Sequence, residues 1–164
     1  MRILGIDPGL ATLGYGVIDT AGSRVALVEA GAIITTPDMK EPDRLVSIRR
    51  QVKELLEKFR PDQIAFEELF FYKNITTGMS VSAARGVTVC ACAEYTDQLY
   101  EYTPMQIKST IAGYGHAQKY QVQEMVKMIL NMRDIIRPDD AADAVAVALT
   151  HQSVGALRSE FRMK

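Results

Sequence analysis

Apolar residues follow two rhythms along this chain. Short runs at Arg2–Asp7 and Leu13–Asp19 each end in an acid, and Asp7-Pro8-Gly9 separates them, which predicts a hairpin. A third extended run, Arg24–Ile34, follows the Ala21-Gly22-Ser23 turn and completes an antiparallel meander. Pro37 to Pro42 reads as loop. The rhythm then changes: Leu45, Ile48, Val52, Leu55, Leu56 and Phe59 recur at helical spacing over Asp43–Phe59. Pro61 closes that helix, and Gln63–Glu67, with Ile64 and Phe66 apolar, predicts a fourth strand that a helical crossover would lay parallel to an earlier one.

Beyond Glu68, the aromatic and cationic stretch Leu69–Asn74 reads as loop. A small-residue helix is predicted from Met79 to about Asp97, and a fifth strand over Tyr100–Thr103. Thr103-Pro104 supplies an N-cap and first helical residue for a short helix reaching Ile111. Val122, Met125, Val126, Ile129 and Leu130 mark an amphipathic helix, and Pro138 precedes an Ala-rich one over Asp139–Gln152. The fold class is α/β, with one domain over residues 1–153 and a flexible C-terminal tail over residues 154–164.

Composition narrows the class. The 164 residues are 48% hydrophobic and 24% charged, enough apolar material for a self-sufficient core and unlike a disordered chain. No apolar run approaches the ~20 residues of a bilayer helix, so no membrane association is expected. The opening MRILGIDPGL breaks too early for a secretory leader, and Cys90 and Cys92 are too close for an ordinary bridge, so a reducing cytoplasm is the expected compartment. A net charge of -1 speaks against a generally basic nucleic-acid coat but leaves local patches open.

The candidate chemistry is carboxylate. Acids stand where elements end or begin: Asp7 after the first strand, Glu67-Glu68 after the fourth, and Asp139, Asp140 and Asp143 at the start of the last helix. Acids in a first helical turn answer the helix dipole and need no further role. Asp143 is different, because it shares a helix face with Asp139 or Asp140 in a stretch otherwise made of Ala and Val, and an unpaired carboxylate there is costly. If the first and fourth strands are neighbours, Asp7 and one of the glutamates emerge side by side at their C-terminal ends. Carboxylates about 4 Å apart repel by roughly 4 kcal/mol per pair at an effective dielectric of ~20. Such a cluster calls for a cation, and hard oxygen donors suit Mg²⁺ or Mn²⁺; two ions ~3.5–4 Å apart would suit phosphodiester hydrolysis.

GIDPG at 5–9, FEELFFYKN at 66–74, SAARG at 82–86, GHAQKYQVQ at 115–123 and D-A-A-D at 140–143 together resemble the RuvC family of Holliday-junction resolvases. That resemblance implies a ribonuclease H-like mixed five-stranded sheet, three antiparallel strands then parallel ones, with helices on both faces. It implies a crossover junction endodeoxyribonuclease of recombination and repair, a homodimer nicking two opposed strands of a four-way junction symmetrically. Mg²⁺, with Mn²⁺ as a substitute and two ions per site, is the implied cofactor, and RuvA and RuvB are the implied partners. By motif position the metal-binding catalytic acids are Asp7, Glu67, Asp140 and Asp143, which leaves Glu68 and Asp139 as neighbours. Lys108 and Lys119 align with lysines that support cleavage and contact DNA. Phe70 aligns with the aromatic that opens junction base pairs, and Phe71, Lys73, Asn74 and Arg85 are further DNA-contact candidates.

The remaining conspicuous residues point to packing. His116 and His151 stand alone without zinc-ligand spacing, and His151 lies roughly 12 Å along the helix from Asp143 at 1.5 Å per residue. Cys90 and Cys92 read as packing residues, while Met125, Met128 and Met132 read as core or dimer surface. Gly14 and Gly16 suit either a close approach by substrate or the twist of the sheet.

Overall fold

The computed structural model describes residues 1–69 and 75–164. Its five strands are β1 (Arg2–Asp7), β2 (Thr12–Ala21), β3 (Arg24–Ile34), β4 (Gln63–Glu67) and β5 (Leu99–Tyr102), in the sheet order β3-β2-β1-β4-β5. The first three form the antiparallel meander, and β4 pairs parallel with both β1 and β5. The helices are α1 (Glu41–Phe59), α2 (Ile75–Tyr95), α3 (Pro104–Ala112), α4 (Lys119–Ile129) and α5 (Asp139–Ser153).

Strand alternation divides the core in two. Leu4, Ile6, Leu13, Val17, Ile64 and Phe66 face α1 and α2, whose Ile48, Val52, Leu56, Ala84 and Ala91 complete one layer. Ile3, Ile18, Ala65, Tyr100 and Tyr102 face the other way, against α5 backed by α3 and α4. Caught between sheet and helices, α5 is buried continuously from Ala144 to His151. That burial explains its Ala-rich composition, since a helix covered on every side has no polar face to display.

A groove of glycines seats α5. Gly5 pairs with Gly16 and Asp7 with Gly14 across β1 and β2. A Cβ on Gly14 would stand 2.0 Å from the Asp140 carbonyl oxygen, and one on Gly5 2.1 Å from that of Ala144. The close approach at Gly14 and Gly16 is therefore made by α5, not by substrate, and Gly16 would likewise strike Val145.

Several boundaries differ from the sequence expectation for local reasons. α1 begins at Glu41, inside the expected loop, because Pro42 is tolerated in a first turn where its missing N–H has no helical partner. β5 stops at Tyr102 because Thr103 caps α3: its hydroxyl accepts from the Gln106 N–H, and the Gln106 side chain accepts from the Thr103 N–H. Cys92 is buried, but Cys90 is exposed. Met125 and Met132 pack on the core while Met128 is exposed.

The expected flexible tail is instead folded. Gly155–Phe161 form a 3₁₀ helix, the Phe161 ring packs 4.9 Å from that of Tyr102, and the Met163 N–H donates to the Leu99 carbonyl at 3.0 Å. A bridge between Tyr100 and Arg162 and an ion pair of Arg162 with Asp97 at 2.6 Å extend this contact. β5 is the sheet's edge, and the last residues satisfy backbone groups that would otherwise be unpaired there.

Candidate active site

Parallel pairing of β1 and β4 runs to Ile6 opposite Phe66, so Asp7 and Glu67 are the next residues of adjacent strands and leave the sheet on the α5 face. The same face of β1 carries Gly5, and that of β4 carries Ala65 and Gln63. α5 enters over this edge. Its Asp140 lies on Gly14, the residue paired with Asp7, and Asp143 follows one turn later beside Glu67 in a cleft that also includes Lys108, Lys119, Pro104, Ile107, Val122 and Ala146. The cleft has a volume of about 250 Å³.

Electrostatics mark the same cluster. Burial, then the charges of Asp143 and Asp140, raises the Asp7 carboxyl to about 7, with Lys119 acting in the opposite direction. Glu67 rises to about 8 through burial and then Asp7 and Asp143, opposed by Lys119 and Lys108. Burial also raises Asp143, although the Lys119 ammonium bonds its carboxylate at 2.7 Å. Strongly displaced acids held together in a cleft are a signature of functional chemistry.

Two helix starts position the lysines. The capping box at Thr103 starts α3, which carries Lys108, and the Gln121 side chain accepts from the Gln118 N–H at 2.8 Å to start α4 at Lys119. Tyr114 donates to the same Gln121 oxygen at 2.6 Å, which braces the turn before Lys119.

Glu68 and Asp139 go elsewhere. Glu68 lines a separate cleft with Leu69, Ser82, Arg85, Gly86 and Glu101. Asp139 pairs with Arg137 and stands 3.8 Å from Lys119. Arg85, a candidate for DNA contact, bonds Glu101 at 2.7 Å and lines the cleft of Glu68, not that of Glu67 and Asp143. Phe70, Phe71, Lys73 and Asn74 lie outside the described residues.

The donor set tests the expectation of a metal. Among the described residues no three His, Cys, Asp or Glu side chains already converge as a metal cage. The donors nevertheless fit a divalent cation in kind and in charge: all are carboxylate oxygens, the Asp143 charge raises the pKa of both Asp7 and Glu67, and the cation bonded to the group is an ammonium on Asp143. Sequence reasoning missed the seat beneath these acids. Its signal was Gly14-Tyr15-Gly16, two glycines on one face of a strand, with Gly5 opposite.

Residues 3–151 match the family of the crossover junction endodeoxyribonuclease RuvC. The chain belongs to the RuvC family. Its relatives include the crossover junction endodeoxyribonucleases RuvC of Alkaliphilus metalliredigens, 48% identical over the whole of both chains, and of Finegoldia magna, 51% identical over 92% of each. Thermus thermophilus RuvC in complex with Holliday junction substrate superposes with a TM-score of 0.87 at 38% identity, covering 93% of each chain. The yeast mitochondrial Holliday junction resolvase Ydc2, 16% identical with a TM-score of 0.70 over 98% of this chain and 82% of its own, shares the fold. The mixed sheet is thus the ribonuclease H-like sheet of these resolvases, and the chain is an endodeoxyribonuclease of crossover junctions. Among the described residues no helix is long and apolar enough to cross a membrane.

Proposed function

We propose that this RuvC-family nuclease resolves Holliday junctions by hydrolysing one phosphodiester in each of two opposed strands, with Asp7, Glu67, Asp140 and Asp143 as the metal-binding catalytic acids. The observation that carries the reading is that Asp7 and Glu67 end two neighbouring parallel strands, with Glu67 and Asp143 lining one cleft beside Lys108 and Lys119 and the Asp7 charge acting on Glu67. Two Mg²⁺ ions, replaceable by Mn²⁺, would supply positive charge for the phosphate and a water acidic enough to attack at neutral pH.

The chain's own residues do the positioning. Asp7 and Glu67 project from strand ends fixed by pairing on both sides, while Asp140 and Asp143 are carried by a buried helix; these mountings keep donors in place without loop movement. Lys119 is exposed beyond Asp143, and Lys108 is half-buried beside Glu67. Each ammonium can face a phosphate oxygen at the mouth of the cleft, which holds a strand against the acids despite their negative charge. Phe70, Phe71, Lys73, Asn74 and Arg85 are assigned to contact with the junction strands on the family resemblance.

Symmetric nicking calls for two copies of the site, hence a homodimer. The outer face of α2 favours this, since Met79, Ser82, Gly86, Cys90 and Ala93 form an exposed line of mostly small residues along which a second copy can approach closely. RuvA and RuvB are the proposed partners at the junction, the cytoplasm the compartment, and residues 1–153 the nuclease domain.

The test is an end-labelled synthetic four-way junction incubated with the protein in Mg²⁺, beside EDTA and a linear duplex of the same sequence. Paired nicks at symmetric positions in the junction alone are the expected result. Binding without nicks, or equal cutting of the duplex, would overturn the reading.

A further inference from the structure

At the far end of α5 lies a second polar cluster, built on neutral side chains bonded to one another. His151 has no exposed surface. Its Nδ1 lies 2.7 Å from the Tyr102 hydroxyl and its Nε2 2.8 Å from Oε1 of Gln63. Because the Gln63 oxygen can only accept, Nε2 carries the proton and donates, and Nδ1 accepts from Tyr102. Gln63 leads on to Tyr100, whose hydroxyl donates to Gln98 at 2.9 Å. The Tyr100 ring also lies 4.4 Å from the imidazole, and Phe161 backs the Tyr102 ring. Arg158 donates to the carbonyls of His151 at 3.2 Å and Gln152 at 3.4 Å, satisfying the last turn of α5.

The elements joined here are those that build the acid site. Gln63 and Glu67 are the two ends of one face of β4, about 13 Å apart at ~3.3 Å per residue. His151 and Asp143 are two points on α5, roughly 12 Å apart at 1.5 Å per residue. Strand and helix therefore run side by side in opposite directions, bonded to each other at one end and presenting carboxylates to each other at the opposite end.

The stretch between them is held by packing alone. It is Ala144, Val145, Ala146, Val147 and Ala148 over Gly5, Ala65 and Gly16, an apolar contact without the directionality of a hydrogen bond. Directional hydrogen bonds from a buried ring resist both sliding and rotation, because any displacement leaves a buried polar group without a partner.

We propose that His151, held between Tyr102 and Gln63, is a positioning residue for the nuclease reaction: it fixes the axial and rotational setting of α5 and thereby the placement of Asp140 and Asp143 against Asp7 and Glu67. The inference rests on the reading of those four acids as the metal-binding set. Displacements near 1 Å at a reacting centre can cost about a hundredfold in rate, so a clamp two turns away has kinetic leverage. The substrate surface is not involved, and junction affinity is independent of it.

The experiment compares His151→Phe, Tyr102→Phe and Gln63→Met with Val52→Ala, a core truncation on the opposite face of the sheet, and with Asp143→Asn. Tyr102→Phe and Gln63→Met each remove one polar partner and keep the shape, so they remain informative should His151→Phe fold poorly. Three readouts are taken: melting temperature, Mn²⁺ binding by electron paramagnetic resonance, and single-turnover cleavage with junction affinity measured separately in EDTA. The clamp variants are expected to weaken Mn²⁺ binding and slow cleavage by about tenfold, with junction affinity unchanged. Val52→Ala should lose comparable melting temperature with neither effect. Clamp variants that bind Mn²⁺ and cleave like Val52→Ala would overturn the positioning role while Asp143→Asn still fails. Asp143→Asn binding Mn²⁺ normally would instead overturn the reading of the acids.

Discussion

The two ends of α5 are both buried polar clusters, yet they are built on opposite terms. At the C-terminal end each group has a partner: His151 is neutral, donates once, accepts once, and burial, followed by the nearby Arg158 charge, lowers its pKa to about 3. At the N-terminal end burial raises Asp7, Glu67 and Asp143, the Asp143 charge raises Asp7 and Glu67 further, and one ammonium is bonded to Asp143. A satisfied network stabilises the fold it sits in, whereas a cluster of like charges destabilises it and persists where a ligand supplies the opposite charge. The contrast tells structure from function here more sharply than burial alone.

Removing one of the proposed metal ligands should produce the largest effect. Asp7→Asn keeps the volume and deletes a charge, so junction cleavage in Mg²⁺ is expected to fall by about a thousandfold or more while junction binding in a gel shift persists. A variant that nicks at a comparable rate would place Asp7 with the satisfied groups. Next comes the pair of neighbours on β4's end: Glu67→Gln should slow a cleavage time course by at least about a hundredfold more than Glu68→Gln, because only Glu67 shares the cleft with Asp143 and the lysines. Equal losses would show that the two clefts are not distinct in function.

A smaller effect is expected beneath the helix. Gly14→Ala drives a methyl into the Asp140 carbonyl, so α5 must shift, at a cost of about 1–3 kcal/mol in unfolding experiments and with a loss of cleavage. Stability unchanged in denaturant titrations would mean that α5 can ride over the strand without strain.

The smallest effect is a dependence of melting temperature on pH, and its sign differs between the two ends. Asp7 and Glu67 have folded pKa values raised to about 7 and about 8, so the native state binds more protons than the unfolded one; their contribution is fully present below the ordinary carboxylate range and is lost as pH rises through 7 to 8. His151 is depressed from 6.5 to about 3, so its contribution is present above 6.5 and is lost as pH falls toward 3. Between pH 6.5 and 8 the acids act alone. In EDTA the melting temperature should decline across that window, and the decline should flatten in Asp7→Asn or on adding Mg²⁺. A flat profile in EDTA would contradict the repulsion assigned to the cluster.

Much of this molecule is legible along the chain. β1, β3 and β4 appear at their observed bounds because each is a short apolar run closed by turn residues or acids, and α1 appears because one face must meet the sheet while the other meets water. α5 shows no such stripe, since it is covered on every side, and it is legible instead from Pro138 before it and from its Ala-rich composition. Local capping chemistry is equally visible: Thr103 and Pro104 mark the start of α3 before any tertiary contact is known.

The folded tail was hidden, because what holds residues 155–163 is the open edge of β5, a partner remote in sequence. His151 was equally opaque. Its spacing from Asp143 excludes it from the metal set, but its bonds go to Tyr102 and Gln63, 49 and 88 residues away.

The sequence by itself determined the elements, the supply of carboxylates at their ends and the family, since these depend on local periodicity, capping and motif. Only the tertiary structure decided which acids meet, that Arg85 turns to Glu101, that glycines lower α5 onto the sheet, and that His151 ties its far end to β4. The physical reason is that charge repulsion, close approach and hydrogen-bond satisfaction are properties of distances in space, and chain order encodes them only after the sheet has set its strand order.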